Sequence, residues 1–147
     1  MSKRLFTIGY EGLDPERLRD ALQSAGVAVL ADVRAVANSR KRGFSKGALK
    51  AGLEDAGLGY AHLRVLGTPK SGREAARADD AALLKRIYCE EVLETAGGIA
   101  ALDELSALAE KAPTCLLCFE RDPARCHRRL LAERLAPRGF VVEDLFG

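Results

Sequence analysis

The sequence contains no tryptophan, and its aromatic content is only 5%. A surface on which many bases stack on aromatic platforms is therefore not expected. No apolar run approaches the ~18 residues that a bilayer crossing needs, so no membrane partner is expected. Charge of one sign is also missing: 23 Lys and Arg stand against 21 Asp and Glu, and a net charge of +2 identifies no partner. Met1 to Phe6 lead into a strand-like run with neither the long apolar stretch nor the small-residue cleavage site of a secretory signal. A cytoplasmic location is the expectation. Cys89, Cys115, Cys118 and Cys126 accordingly read as free thiols, metal ligands or catalytic groups rather than a disulfide framework. The 147 residues, 48% hydrophobic and 30% charged, suit one globular domain spanning 1–147.

Apolar runs and helical stripes alternate along the chain. Leu5 to Ile8 reads as a strand ended by Gly9-Tyr10-Glu11-Gly12, and Asp14-Pro15 opens a helix with Leu18, Ala21, Leu22 and Ala25 on one face. Val27 to Ala31 is a continuous β-prone run, the pattern of a strand buried on both faces. Ser45 reads as the cap of a helix ending near Gly57, and Tyr60 to Leu63 as a third strand. Arg64 to Ala78 is polar and punctuated by Gly and Pro, and reads as a long loop. Asp79 or Asp80 caps the next helix, which Gly97-Gly98 breaks; Thr114 to Phe119 is the clearest strand; Leu130, Leu131 and Leu135 mark the last helix, and Phe140 to Val142 closes the sheet. The expected fold is α/β: a mostly parallel open sheet of about five strands with helices on both faces, Rossmann-like or flavodoxin-like. In such folds a ligand crevice lies outside the carboxyl ends of the strands.

The segments at that edge carry the chemistry. In Cys118-Phe119-Glu120 and Cys126-His127-Arg128, strand alternation puts Cys118 and Glu120 on one face, and Cys126 is expected in the first turn of the last helix. There the free amides, the helix dipole and Arg125, Arg128 and Arg129 favour a thiolate or a bound anion. A packing role competes with this, because His127 shares the stripe of Leu130, Leu131 and Leu135 and needs only a neighbouring carbonyl or Glu120 as partner. A phosphatase loop is excluded by spacing: with five residues between, the required Arg position after Cys118 holds Ala124. Zinc is not expected, since Cys115 and Cys118 point to opposite faces of a strand and Cys126 and His127 diverge on a helix.

Arg34, Arg40, Lys41, Arg42, Lys46 and Lys50 form a basic stretch without an acidic residue, suited either to phosphate contact or to a solvated loop. Asp32 has two readings, a holder of a ribose hydroxyl or a partner of Arg34 and the loop. His62 reads as a structural histidine, and Gly9 and Gly12 as turn residues rather than a dinucleotide fingerprint.

Thr7-Ile8-Gly9-Tyr10, Asp32-Val33-Arg34, Ser39-Arg40, Phe44, Tyr60-Ala61-His62-Leu63, Leu66-Gly67 and the Cys118 to Arg128 segment together resemble the domain of unknown function 488 family. The resemblance covers nearly the whole chain. It implies a compact α/β domain without an assigned reaction, in which Gly9, Asp32, Arg34, Ser39, Cys118, Glu120, Cys126, His127 and Arg128 converge on one site. Two functions are expected to compete. One is an enzyme acting on a phosphorylated or nucleotide-like substrate, with Cys126 or Cys118 as nucleophile, His127 or Glu120 as acid/base, and Gly9, Tyr10, Asp32, Arg34, Ser39, Arg40 and Arg128 on the ligand. The other is a non-catalytic module binding nucleic acid or a nucleotide in the same crevice. The partner in either case is a small anionic ligand or a nucleic acid, and the residues identify no cofactor.

Overall fold

The computed structural model describes residues 3–147; Met1 and Ser2, part of the N-terminal run read above, lie outside the described residues. Five strands, β1 (Lys3–Gly9), β2 (Val29–Asp32), β3 (Gly59–His62), β4 (Thr114–Cys118) and β5 (Phe140–Leu145), form one sheet in the order β3-β2-β4-β1-β5. Every neighbouring pair is parallel. The expected open parallel α/β architecture is the one observed. β4 is central and buried throughout, which its uninterrupted Cys115-Leu116-Leu117-Cys118 run requires.

Helices cover both faces. Leu18 and Leu22 of α1 (Pro15–Ser24) and Leu49 and Leu53 of α2 (Lys46–Asp55) pack with Phe6, Ile8, Leu30 and Cys115 on one side. On the other, α3 (Lys70–Arg77), α4 (Ala81–Tyr88), α5 (Ala96–Lys111) and α6 (Arg128–Leu135) enclose Leu5, Ala31, Leu105, Leu116 and Leu131. No helix among the described residues is long and apolar enough to cross a membrane.

Three segments differ from the sequence reading. Arg64–Leu66 is a 3-10 turn and Lys70–Arg77 is α3, where a long loop was expected. The helix presents only Gly72 and Ala75 to the core, so it lacks a stripe of large apolar residues. Gly72 instead allows a close approach of α3 to α4: a Cβ there would stand 2.5 Å from Thr68 Cγ2 and 3.6 Å from Leu84 Cδ1. Second, Gly97 and Gly98 do not break a helix but lie in the first turn of α5; the break falls at Glu94 and Thr95, and Thr95 Oγ1 accepts from Gly98 N–H at 3.0 Å. Third, α6 begins at Arg128, two residues later than Cys126. Pro123–Arg125 closes a 3-10 turn and Cys126 is extended (φ −141°, ψ 175°).

Candidate functional site

At the carboxyl edge, the segments leaving β1, β2 and β4 meet around a cavity of about 120 Å³. Cys118, Glu120, Cys126 and His127 line one side, and Tyr10, Arg34, Thr68 and Arg73 line much of the rest. Val36 and Phe119 also line it, although they are 53% and 45% exposed, so its mouth has an apolar rim. Tyr10 supports that rim, stacking on Phe44 at 4.6 Å and meeting Phe119 edge-on at 5.3 Å.

The sulfur pair is the chemical centre. Cys118 and Cys126 are free thiols, both buried, with Sγ atoms 2.7 Å apart. Arg128 Nε donates to Cys126 Sγ at 3.1 Å, and the Arg128 backbone N–H donates at 3.4 Å. Cys126 thus receives an amide from the start of α6 even though it precedes the helix. Burial pushes its thiol up, but the Cys118 hydrogen bond and the Arg128 charge outweigh burial and hold it below the ordinary value. Burial and the neighbouring Cys126 sulfur push Cys118 well up, so Cys118 keeps the proton and donates it.

Arg128 was expected on the ligand, yet its side chain lies wholly inside the protein at 0% exposure and does not line the cavity. Its remaining donors reach Thr7 Oγ1 (3.1 Å), the Glu120 carbonyl (2.6 Å) and the Arg121 carbonyl (3.3 Å). It ties the β1 end, the β4 exit and the Cys126 sulfur together. Gly9 belongs to the same junction: a Cβ there would fall 1.8 Å from the Glu120 carbonyl oxygen, so only glycine lets β1 and the β4 exit approach this closely.

Asp32 also sits behind the cavity, fully buried. Its Oδ1 accepts from Arg34 Nε (2.8 Å) and Arg34 N (3.1 Å), and its Oδ2 from Arg34 Nη2 (2.7 Å) and the Tyr60 hydroxyl. Of the two readings of Asp32, the pairing with Arg34 is the one the geometry contains. Burial opposes the Arg34 charge, but Asp32 more than compensates and its pKa rises; burial and Asp32 likewise raise Tyr60. His62 Nε2 meets the Arg34 carbonyl at 2.9 Å, a structural role.

His127 Nε2 lies 2.7 Å from the Val33 carbonyl, which can only accept, so Nε2 carries the hydrogen. Burial lowers the pKa of this imidazole to about 4, and it is neutral at pH 7. Glu120, half-buried, keeps a carboxyl oxygen within 4.8 Å of both sulfurs.

Ser39 and Arg40 do not line the cavity. Ser39 Oγ accepts from Lys41 N–H at 3.1 Å within the loop, Arg40 is exposed, and Lys41 Nζ donates to the Tyr10 carbonyl at 3.2 Å. Four participants were not read as site residues. Thr7 was legible as a lone hydroxyl in a buried apolar run, whereas Arg73, Thr68 and the Val33 carbonyl carried no signal.

The donor set Cys118, Glu120 and Cys126 has the chemistry of a thiophilic metal site. A tetrahedral zinc with Zn–S bonds of about 2.3 Å would hold two sulfurs roughly 3.8 Å apart. With the sulfurs 2.7 Å apart and only three donors, the set as it stands is not spaced for tetrahedral zinc. Cys115, the other partner weighed for zinc, lies on the opposite face of β4 among the α1/α2 layer.

Residues 14–135 match the model of a family described as Domain of unknown function DUF488. No curated protein and no solved structure matches the chain.

Proposed function

Since the chain belongs to the DUF488 family, a membership that assigns no reaction, we propose that the cavity is a thiolate-centred active site in which Cys126 is the nucleophile. One observation carries this reading: a sulfur lining a cavity receives Arg128 Nε, an amide at the start of α6 and a neighbouring thiol at once. A purely structural cysteine needs none of these donors. The substrate presents a small anionic or electrophilic head group, because about 120 Å³ accommodates a phosphate but not a whole nucleotide. Its planar or apolar remainder rests on Phe119 and Val36 at the rim, which fits a nucleotide-like molecule. Arg73, half-buried at the wall, is the positive group offered to that head group; Arg34 also lines the cavity, with its guanidinium nitrogens held by Asp32 and the Phe44 carbonyl. Proton transfer falls to Glu120, since His127 is committed to the Val33 carbonyl and stays neutral.

A binding module without turnover is the second reading, and exposed Arg40 and Arg42 in the loop that rims the cavity favour it. Iodoacetamide labelling of the full chain, followed at Cys126 and Cys89 by peptide mass, separates the two. Cys126 should label below the pH at which an ordinary thiol, with pKa about 8.5, does so, and saturating inorganic phosphate or adenosine monophosphate should slow it. A labelling rate insensitive to both anions would refute the substrate class. Protection at a Cys126 that titrates as an ordinary thiol would leave the binding module.

A further inference from the structure

We propose that Cys118 and Cys126 are a redox pair that closes to a reversible disulfide on meeting a hydroperoxide, Cys126 reacting first and Cys118 resolving it. This rests on the reading of Cys126 as the nucleophile and adds the regulation of that site. Both cysteines line the cavity, which is the route by which an oxidant would reach them. Their 2.7 Å separation is inside ordinary non-bonded contact and about 0.7 Å from the roughly 2.05 Å of a disulfide bond. Only the short β4-to-α6 connection separates the two residues, and the 3-10 turn Pro123–Arg125 together with the Arg128 clamp on the Glu120 and Arg121 carbonyls holds it in place.

The two sulfurs are chemically unequal. Arg128 donates to Cys126 through both side chain and backbone, concentrating negative charge there, while Cys118 keeps its proton. In the first step the Cys126 thiolate attacks one peroxide oxygen: an S–O bond forms, the O–O bond breaks, and the departing alkoxide or hydroxide takes up a proton to leave as alcohol or water. In the second, Cys118 passes its proton to Glu120, whose carboxyl lies within 4.8 Å of both sulfurs, and attacks the sulfenic sulfur. The S–S bond forms, the S–O bond breaks, and hydroxide leaves as water with the proton from Glu120. Two thiols lose two electrons and one hydroperoxide gains them. The disulfide removes the nucleophile, so oxidation switches the site off and a thiol reductant restores it. Cys115, on the opposite face of β4, stands outside the exchange, and Cys89, although in the same helical layer as α6, does not line the cavity.

The test treats the reduced full chain, freed of reductant, with hydrogen peroxide, quenches it under denaturing conditions with iodoacetamide, and maps peptides by mass. Labelling of Cys118 and Cys126 should fall about tenfold, a linked peptide joining them should appear, and dithiothreitol should reverse both. In Cys118→Ser, Cys126 should instead be trapped as sulfenic acid by dimedone. The proposal is overturned if wild-type Cys126 proceeds to sulfinic acid while Cys118 remains alkylatable, or if stoichiometric zinc is released as the thiols are modified. Peroxide leaving both thiols intact while Cys126 alkylates rapidly at neutral pH sinks the redox pair alone. Slow alkylation of a Cys126 that titrates normally sinks the nucleophile and the redox pair together.

Discussion

Lowering the pH should unfold this protein partly through one residue, His127. The imidazole is 5% exposed, donates to the Val33 carbonyl, and lies 5.3 Å from the Tyr88 ring. Burial dominates its titration; the Arg128 charge lowers it further, and the Val33 hydrogen bond and Asp32 recover part of the loss, leaving a pKa of about 4. In the unfolded chain the same group titrates near 6.5. Between those values the unfolded state holds a proton that the native state does not, so acid favours unfolding. The contribution is complete above about pH 6.5, is lost as the pH falls, and stops changing below about pH 4. At about 1.36 kcal/mol per pH unit, the total is about 3 kcal/mol. Urea unfolding of the wild type and His127→Gln from about pH 7.5 to about pH 4 measures it. Glutamine can keep the donor to Val33 but cannot charge, and the two proteins share every other titrating group. Their stability difference should therefore change by about 3 kcal/mol across that window, with the wild type losing more. Parallel curves would refute the reasoning.

Asp32→Asn leaves Arg34 uncompensated in a buried site and should cost about 3–5 kcal/mol in denaturant unfolding; the Asp32→Asn/Arg34→Met double variant should lose less than the sum of the single losses. A single-variant cost near zero would place the pair in solvent-like surroundings. Gly9→Ala drives a methyl to 1.8 Å from the Glu120 carbonyl and should cost about 3 kcal/mol. Because that carbonyl accepts from Arg128, the same variant should slow Cys126 alkylation at neutral pH. A stable Gly9→Ala with wild-type labelling would show that the junction tolerates looseness.

Much of the architecture was readable because two periodicities dominate the chain: uninterrupted apolar strands such as Cys115 to Cys118, and helical stripes such as Leu18 and Leu22. Hidden from the sequence were contacts made through small residues and backbone. α3 packs through Gly72, whose contribution is the space it leaves. The same limit applies at the site. Cys118, Glu120, Cys126 and His127 could be placed at one edge from strand and helix order, and they share a wall of the cavity. Arg128 could be found but not oriented: as a charged residue beside a crevice it read as a ligand contact, whereas it is buried as a clamp, because carbonyls at the β4 exit and a thiol needed its donors. Those partners are backbone groups of a non-repetitive segment, which residue types do not report.

The central claim, that Arg128 and Cys118 hold the Cys126 thiol below the ordinary value, is tested most directly by ultraviolet thiolate absorbance as a function of pH, taken as the difference between the wild type and Cys126→Ser. This readout does not require a reagent to reach a residue that is only 4% exposed. The predicted difference titrates with a midpoint below the ordinary value of about 8.5. A midpoint at or above about 8.5 would mean that burial wins over Arg128 and the Cys118 hydrogen bond, and would contradict the account.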